Sequence, residues 1–364
     1  MGKNKIKTKI PKHPFVSICT PTFNRRPFIP IIIKCFENQT YPRDKMEWII
    51  VDDGTDKIED LVAHLPYVKY FKYDEKMTLG KKRNIINEKA KGDIIVYMDD
   101  DDYYPPERVK HAVERLRDSK ALCAGSSAMF IYFKHINKMY QFGPYGPNHA
   151  TAATFAFKRE LLNQTRFDEE SSVAEERKFL KDYTIPFVQL DSIKSILVFS
   201  HNHNSFDKKE LLKQMPNPNI HDTPLIPKDL VKEADILKFF MDDINDLLDN
   251  YEPGKPDYKP DVKKQLAEIK IERENKIQEM MKQQSDYQDA INKISMLTNP
   301  QIVQQQLNEQ SMIIQQLIFE NNQLKEQVEY LNNKIKQLII TQMDKIKEKR
   351  IEIVSNDSPR INII

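Results

Sequence analysis

Four consecutive aspartates, Asp99 to Asp102, form the longest acidic run in the sequence. They follow Ile94 to Met98, an uninterrupted apolar and aromatic run that is typical of a strand buried on both faces of a parallel sheet. Open α/β sheets bind their ligands at the carboxyl ends of such strands. Because adjacent carboxylates repel one another, we expect Mg²⁺ or Mn²⁺ to bind here, together with the phosphates of a substrate. The alternative is a solvated acidic turn before a helix.

The segments around this run alternate between strand-like and helix-like patterns. Strands are predicted at Phe15 to Cys19, Glu47 to Val51, Val68 to Tyr73 and Ile94 to Met98, and helices at Pro30 to Asn38 and Gly80 to Lys91. This order predicts an α/β fold in which a mostly parallel sheet carries helices on its faces. The second strand also ends in paired acids, Asp52 and Asp53, so two acidic groups should meet at one edge of the sheet.

A nucleotide diphosphate lying along the strand ends would suit this arrangement. Asp53 would accept a hydrogen bond from the base, and Asp99 and Asp101 would serve the ribose and the metal ion. Lys82 or Arg83, near a helix start, would contact phosphate oxygens. The sequence contains neither the GxGxxG of a classical dinucleotide-binding fold nor the GxxxxGK[ST] of a phosphate-loop NTPase, so neither class is expected.

Composition limits the remaining possibilities. The 364 residues carry a net charge of +2, and beyond a basic tail at 1–13 no basic stretch indicates binding to nucleic acid. The cysteines, Cys19, Cys35 and Cys123, form no CxxC pair and suit a reducing compartment. No apolar run approaches the roughly 18 residues of a transmembrane segment. We therefore expect a cytoplasmic protein, in the host cytoplasm or the virion if the source is a large DNA virus.

Four sequence blocks together resemble the amino-terminal half of family 2 glycosyltransferases of the GT-A fold. In chain order they are VSICTPTFNR, WIIVDDGTD, LGKKRN and KGDIIVYMDDDDYYPPERV. The segment at 150–162 resembles the acceptor-side strand and helix of the family, and the segment at 167–180 resembles the region that carries the catalytic base. The resemblance covers residues 14–206 and implies a Rossmann-like GT-A domain. It also implies a metal-dependent, inverting hexosyltransferase that uses a nucleotide-diphosphate sugar.

The resemblance assigns roles to individual residues. The nucleotide would contact the loop made of Pro21, Thr22, Phe23, Asn24 and Arg25, with the Phe23 ring against the base. Asp53 would bind the base, and Arg83 would lie near the diphosphate. In the aspartate run, Asp101 would be the main metal ligand and Asp99 would face the ribose or the metal. Asp100 is assigned to the donor site, because the register within the run is ambiguous by one residue.

Two further positions complete the implied site. Glu175 aligns best with the general base of the family, and Glu176 is the second candidate. His201 lies in a segment that resembles the part of the family that folds over the diphosphate, and it would add a metal or phosphate ligand. Alternatively, the glutamates lie on an exposed helical turn and the histidine is a loop residue. The resemblance implies Mn²⁺ or Mg²⁺ as cofactor, a UDP-sugar as the commonest donor, and a glycan or protein acceptor that the sequence does not specify.

The composition changes after residue 206. Residues 207–260 are expected to form proline-rich linkers on either side of an amphipathic helix at 229–248. Residues 261–348 are helical in character with a break near 298–300, and 349–364 form a tail. Leucines recur every seven residues, and aliphatic residues and one asparagine occupy the companion positions: Leu317, Leu324, Leu331, Leu338, Ile314, Asn321, Val328 and Ile335. This pattern predicts a parallel coiled-coil homodimer, with a trimer, a tetramer or a single long helix as alternatives.

Two other function classes fit parts of the pattern. A non-catalytic coiled-coil scaffold with a nucleotide-sugar-binding GT-A domain should have lost acidic site residues, yet the acids of the implied site are present. A nucleotidyltransferase of the same fold would carry a glycine-rich first loop, whereas residues 20–26, TPTFNRR, contain no glycine. A glycosyltransferase with a coiled-coil tail is therefore the preferred hypothesis.

Overall fold

The computed structural model describes residues 11–213, 215–297 and 300–356. They form two compact units, with the boundary between Glu272 and Arg273. Most of the predicted basic tail, residues 298 and 299 of the expected helix break, and the end of the predicted tail after residue 356 lie outside the described residues.

Strands and helices alternate up to residue 117, as the sequence predicts, and four successive strands follow. The strands are β1 (Val16–Thr22), β2 (Met46–Asp52), β3 (Val68–Lys72), β4 (Ile94–Tyr97), β5 (Cys123–Gly125), β6 (Met129–Phe133), β7 (Lys138–Phe142), β8 (Ala156–Lys158), β9 (Phe187–Gln189), β10 (Leu197–Ser200) and β11 (Ile220–Asp222). The helices are α1 (Ile29–Glu37), α2 (Glu59–Val62), α3 (Leu79–Lys89), α4 (Arg108–Arg117), α5 (Glu176–Phe179), α6 (Lys209–Leu212), α7 (Pro227–Leu230), α8 (Ala234–Lys238), α9 (Ile244–Asp249), α10 (Pro260–Leu297) and α11 (Pro300–Asn356).

The main sheet has seven strands in the order β3-β2-β1-β4-β8-β5-β9. β1 pairs in parallel with β2 and β4, β2 with β3, and β5 with β9, whereas β8 is antiparallel to β4 and β5. A second sheet of four strands has the order β10-β6-β7-β11. The predicted α/β fold with a mostly parallel sheet is therefore confirmed. Because β1, β2 and β4 are parallel neighbours, the residues after them meet at one edge.

Successive side chains of β4 reach two different apolar layers. Ile94 and Val96 pack into the layer that contains side chains of α1 and α4, whereas Ile95 and Tyr97 pack into the layer that contains α3. All four residues are buried, which is why this strand is an uninterrupted apolar run and not an alternating one. Packing on both faces fixes the strand, and with it the start of the aspartate run.

The amphipathic helix expected at 229–248 is interrupted. The chain forms the short helix α7, is not helical at 231–233, and resumes as α8 and α9 with a π turn at Phe239–Asp243 between them. A π turn accommodates one additional residue and so rotates the register of the residues that follow. Leu248 is therefore buried, whereas Leu247, which a regular helical period would place on the same face as Phe240 and Ile244, is 45% exposed.

The second expected linker is part of the first unit and packs against the loop after β1. The side-chain amide of Asn24 donates a hydrogen bond to the carbonyl of Pro253 at 2.9 Å. Gly254 lies so close that an added Cβ would stand 2.9 Å from the carbonyl oxygen of Asn24. Proline restricts the backbone of a free linker and of a packed segment alike, so composition did not distinguish the two. We call residues 251–265 the strap.

The second unit is helical throughout its described residues, which belong to α10 and α11. In the single chain, the predicted seam residues Leu317, Leu324 and Leu331 are 57%, 59% and 53% exposed. Among the described residues of the whole chain, no helix combines the length and the apolar character needed to cross a membrane.

Candidate active site

Most of the predicted donor residues surround one cavity at the carboxyl edge of the main sheet. This cavity has a volume of about 140 Å³. The predicted residues that line it are Pro21, Thr22, Phe23, Arg25, Arg83, Asp99, Asp100 and Asp101. The other predicted residues, Asn24, Asp53, Glu175, Glu176 and His201, lie outside this lining and contact the lining residues or the segments next to them. The structure therefore brings together groups that are up to 180 residues apart in the sequence.

Asn24 shapes the loop after β1 instead of facing the cavity. Its φ of 52° lies in the left-handed region, which asparagine tolerates better than most residues. Its Oδ1 accepts a hydrogen bond from the amide of Asp56 at 2.9 Å. These contacts turn the loop so that Phe23 and Arg25, on either side of Asn24, line the cavity.

Asp100 and Asp101 share a buried arginine. The Arg25 guanidinium lies 3.5 Å from the Asp100 carboxylate and 3.2 Å from that of Asp101. Burial opposes ionisation of Asp101, but Arg25 and His201 hold its pKa well below the usual range. Burial raises the pKa of Asp100 to about 7. Asp101 is therefore the carboxylate of this pair that stays ionised, which suits a ligand for a cation.

Arg83 joins the aspartate run to the predicted base. Its side chain is 2% exposed, its Nε donates to Glu175 at 2.8 Å, and its Nη atoms lie 3.3 Å from the Asp99 carboxylate. Burial opposes the positive charge, but Asp99 and Glu175 raise the pKa of Arg83 above its ordinary value. A guanidinium can bind two carboxylates at once in a fixed geometry, which a lysine cannot do. Arg83 therefore sets the spacing between the two acidic groups.

The segment that carries the two glutamates has an unusual backbone. Ala174 has a φ of 53°, which residues other than glycine rarely adopt. Glu175 is 4% exposed and is bound by Arg83, whereas Glu176 is the more exposed of the two. Burial and the charge of Glu175 raise the pKa of Glu176 to about 7. One carboxylate is thus fixed by an ion pair, and the other is able to exchange a proton near neutral pH.

Asp53 has protein partners on both carboxylate oxygens. It forms an ion pair with Lys82 and accepts a hydrogen bond from the amide of Met77 at 2.6 Å. Lys82 also donates to the carbonyl of Thr22 at 3.0 Å. These bonds tie the loop before α3 to the end of β1. A contact between Asp53 and a nucleotide base stays a prediction, because in this structure the carboxylate is used to hold Lys82.

His201 lies beside the aspartate run. Its Nε2 is 3.5 Å from Asp101 and 2.8 Å from the side-chain amide of Asn204. Burial lowers the pKa of His201 to about 4, so the imidazole is neutral at physiological pH. Neutral imidazole is the form that binds metal ions. The segment after β10 therefore brings a possible ligand to the predicted metal site.

Comparison with known proteins places this geometry in a family. Residues 17–183 match the family described as glycosyl transferase family 2. These residues form a family 2 glycosyltransferase domain. The match includes the four sequence blocks, except for Val16 at the start of the first, and both glutamates, and it ends before His201 and the strap.

Individual relatives of the glycosyltransferase domain match shorter stretches. Poly(ribitol-phosphate) beta-N-acetylglucosaminyltransferase TarS of Staphylococcus aureus is 28% identical over 109 residues, which are 26% of this chain and 18% of TarS. The putative teichuronic acid biosynthesis glycosyltransferase TuaG of Bacillus subtilis is 29% identical over 111 residues, 28% of this chain and 41% of TuaG. This chain therefore spans less than half the length of either relative. The mannosyltransferase PcManGT of Pyrobaculum calidifontis, solved with GDP-Man and Mn²⁺, superposes with a TM-score of 0.44 at 20% identity, covering 53% of this chain and 59% of PcManGT.

The predicted metal ligands lie in and beside the aspartate run. Asp99 and Asp101 provide carboxylate oxygens, and His201 adds a neutral imidazole next to Asp101. Asp102 has a buried carboxylate oxygen without a hydrogen-bond partner in the described part of the chain. Mg²⁺ is usually held by one or two carboxylates together with substrate phosphates, so this number of protein ligands is sufficient. Among the described residues, no three histidine, cysteine or acidic side chains are grouped so that they could hold a metal ion by themselves. Binding of Mn²⁺ or Mg²⁺ therefore stays a prediction, and it depends on further ligands from the donor phosphates.

Sequence reasoning missed the part of the cavity wall that the strap provides. Lys259 lines the cavity, is 7% exposed and donates to the Ser205 hydroxyl at 2.8 Å. It lies in a segment that the sequence analysis classed as a linker. One signal pointed the other way: Tyr251 is a large aromatic residue, and linkers and disordered segments contain few of these.

Proposed function

We propose that the protein is a metal-dependent, inverting glycosyltransferase that moves a sugar from a nucleotide-diphosphate donor to an acceptor hydroxyl. The observation that carries this proposal is the buried Arg83, which binds Asp99 on one side and Glu175 on the other. Arg83 lines the cavity, so it links the aspartates suited to the leaving diphosphate with the segment that carries the two glutamates. The family resemblance implies a UDP-linked donor. The name of the relative TarS makes N-acetylglucosamine the first sugar to test.

The aspartate side of the cavity would bind the donor. A divalent cation held by Asp99, Asp101 and His201 would neutralise the charge that the diphosphate gains as it leaves. Arg25 lies next to the same aspartates and lines the cavity, so its guanidinium is positioned to donate to phosphate oxygens. Phe23, also in the lining, offers an apolar ring for the nucleotide.

The glutamate side would remove the proton of the acceptor hydroxyl. We assign the general base to Glu176 and not to Glu175, which is the reverse of the order expected from the sequence. Arg83 binds the Glu175 carboxylate at 2.8 Å, so this carboxylate is already engaged in an ion pair. Glu176 is more exposed, and a pKa of about 7 is near the optimum for a base that works at neutral pH. Glu175 would then be a positioning residue that holds Arg83.

The second unit would assemble the protein into a parallel homodimer. Supporting this proposal, apolar seam residues of α11 are exposed in the single chain, Leu324 by 59% and Val328 by 56%. Asn321 in the seam favours two strands in a fixed register. Glu320 and Lys325 flank the seam with opposite charges and would pair between the two chains.

A panel of nucleotide-diphosphate sugars in a thermal-shift assay tests the proposed activity. The panel is run with Mn²⁺ and again with EDTA, because a ligand that binds the folded state raises the melting temperature. We expect at least one UDP-sugar to stabilise the protein with Mn²⁺ and to lose that effect with EDTA. Transfer or hydrolysis of that sugar is then measured directly. Stabilisation without turnover would favour the non-catalytic scaffold, and no stabilisation by any donor would contradict the donor site.

A further inference from the structure

The strap contributes to the donor cavity although it lies about 70 residues beyond the end of the family match. Lys259, Asp261 and Val262 are among the residues that line the cavity. The carbonyl of Gly254 accepts a hydrogen bond from Arg25 at 3.3 Å, which attaches the strap to the loop after β1. The cavity is therefore closed by a segment outside the matched domain.

The strap is also attached on the opposite side, next to the glutamates. Ser172 donates from its hydroxyl to Asp261 at 2.6 Å and from its amide to Gln265 at 2.8 Å. Asp261 also forms an ion pair with Lys76, another residue of the lining. Because the strap is hydrogen-bonded to both sides of the cavity, it is a structural part of the cavity wall. Its proline-rich composition had instead indicated a linker.

Lys259 places an amino group inside this cavity. Its Nζ donates to the Ser205 hydroxyl at 2.8 Å. Burial and Arg25 lower the pKa of Lys259 to about 7, whereas Asp100 and Asp101 favour its charged form. Arg25 and Lys82 are the basic groups that act on it. An ammonium group has three donors, and burying its charge is costly unless anions or acceptors surround it.

We propose that Lys259 binds the diphosphate of the nucleotide-sugar donor. This inference rests on the proposed function, because it assigns one more residue to the same donor. Once Asp99 and Asp101 are engaged by a cation, the diphosphate is the anion that enters the same lining, and the Lys259 ammonium pairs with it. The strap is thereby a required wall of the donor site and not a spacer between two units.

The small volume of the cavity suggests a different role for Lys259, in which its side chain only fills space. The experiment has to distinguish this role from diphosphate binding. Ligand sites usually measure about 300–1,000 Å³, whereas this cavity measures about 140 Å³. The lining therefore has to move when a donor enters. If Lys259 only filled space, removing its charge would leave diphosphate binding unchanged or make it tighter.

Calorimetry on the full chain with Mn²⁺ tests the assignment. UDP and UMP are titrated into the wild type, Lys259→Met and Lys259→Arg, and the same pair of titrations is made with GDP and GMP. The matched control is Lys255→Met, because Lys255 lies in the same strap, is 39% exposed and pairs with Glu252. We expect Lys259→Met to weaken the diphosphate by roughly 10- to 100-fold, as for loss of a charged hydrogen bond. Lys259→Met should still bind the monophosphates as the wild type does. Lys255→Met should bind both kinds of ligand like the wild type, and Lys259→Arg should keep most of the affinity for the diphosphate.

The alternative outcomes are distinct. Equal weakening of UDP and UMP by Lys259→Met would mean that Lys259 only supports the strap, and this would overturn the inference. Unchanged or tighter binding of UDP would identify a space-filling residue and overturn it as well. If the folded wild type bound neither UDP nor GDP, the proposed function itself would be wrong, a result that the wild type alone reveals. A melting curve of each variant shows whether it is folded, and Lys259→Arg supplies the comparison if Lys259→Met is not.

Discussion

The two units of the protein differ in how far their apolar and charged side chains are buried. In the first unit, large side chains such as Trp48 are 1% exposed, and charged groups such as Arg83 are buried in ion pairs. In the second unit, Leu317 and Leu331 are 57% and 53% exposed in the single chain, and the charged side chains at 273–291 and 304–342 are exposed as well. The first unit therefore buries its own apolar side chains, whereas the described part of the second unit leaves apolar side chains exposed in the single chain.

This difference has a consequence for how each unit responds to substitution. Charged groups buried in the first unit are shielded from bulk water, which therefore cannot replace a lost partner. Single substitutions at the cavity should accordingly have large and specific effects. The predicted apolar seam of the second unit repeats every seven residues, so the stabilisation it provides should be distributed over many positions. Substitutions in the seam should affect assembly and not catalysis. The predictions below test that contrast from the largest expected effect to the smallest.

Glu176→Gln should have the largest effect. The amide keeps the shape of the side chain but cannot accept the proton, so the transfer rate should fall by about 10²- to 10⁴-fold. Donor binding, measured by calorimetry, should stay close to that of the wild type. The paired variant Glu175→Gln leaves Arg83 with one ion pair fewer and should also lower the melting temperature. If Glu176→Gln were fully active and Glu175→Gln were folded but inactive, Glu175 would be identified as the general base.

Asp101→Asn should reduce transfer by roughly 10²- to 10³-fold, comparable to removing one electrostatic group from an active site. The reason is the loss of the carboxylate that stays ionised beside Arg25 and His201. The measurement is the transfer rate as a function of Mn²⁺ concentration. Asp44→Asn serves as the control, since Asp44 is exposed and lies outside the cavity. A variant with unchanged rate and unchanged Mn²⁺ dependence would refute Asp101 as a metal ligand.

Changes in the second unit should affect assembly alone. Leu324→Glu combined with Leu331→Glu places carboxylates in the predicted seam and should weaken the dimer by on the order of 10²-fold or more, because burying each leucine contributes a few kcal/mol. Light scattering reports the mass, and calorimetry reports donor binding, which should not change. Tyr330→Glu, at an outer position of the same helix, is the control. If the wild type is a monomer at micromolar concentration, or the double variant keeps the mass of the wild type, the coiled-coil assignment is wrong.

Local patterns in the sequence were enough to predict the fold. The apolar runs that became β1, β2 and β4 lie within three residues of the predicted bounds, because a strand buried on both faces has no alternation that could confuse the assignment. The acidic residues after these strands were expected to share one edge, and parallel pairing brings them there. Each of these predictions used a short segment whose secondary structure is determined by residues close to it in the sequence.

Contacts between distant segments could not be predicted in this way. Lys259 reaches the cavity through a fold-back of the chain, and nothing near it in the sequence marks that path. The π turn that rotates Leu247 to the surface depends on how α8 and α9 pack, and not on the apolar period. The division of roles between Glu175 and Glu176 likewise depends on Arg83, which is 92 residues away.

The two units should finally differ in their response to pH. Burial and the Glu175 charge raise the pKa of Glu176 to about 7, so this carboxyl keeps its proton at pH values where an ordinary glutamate has lost it. A protonated base cannot accept the acceptor proton, and the transfer rate should therefore fall about tenfold per pH unit below about 7 and level off above it. The mass of the assembly should not change between pH 6 and 8, because aliphatic residues and one asparagine form its seam. A pH–rate profile at saturating donor, with light scattering at each pH, measures both. A rate that is constant from pH 6 to 8 would contradict Glu176 as the base, whereas a mass that changes with the rate would attribute the pH dependence to assembly.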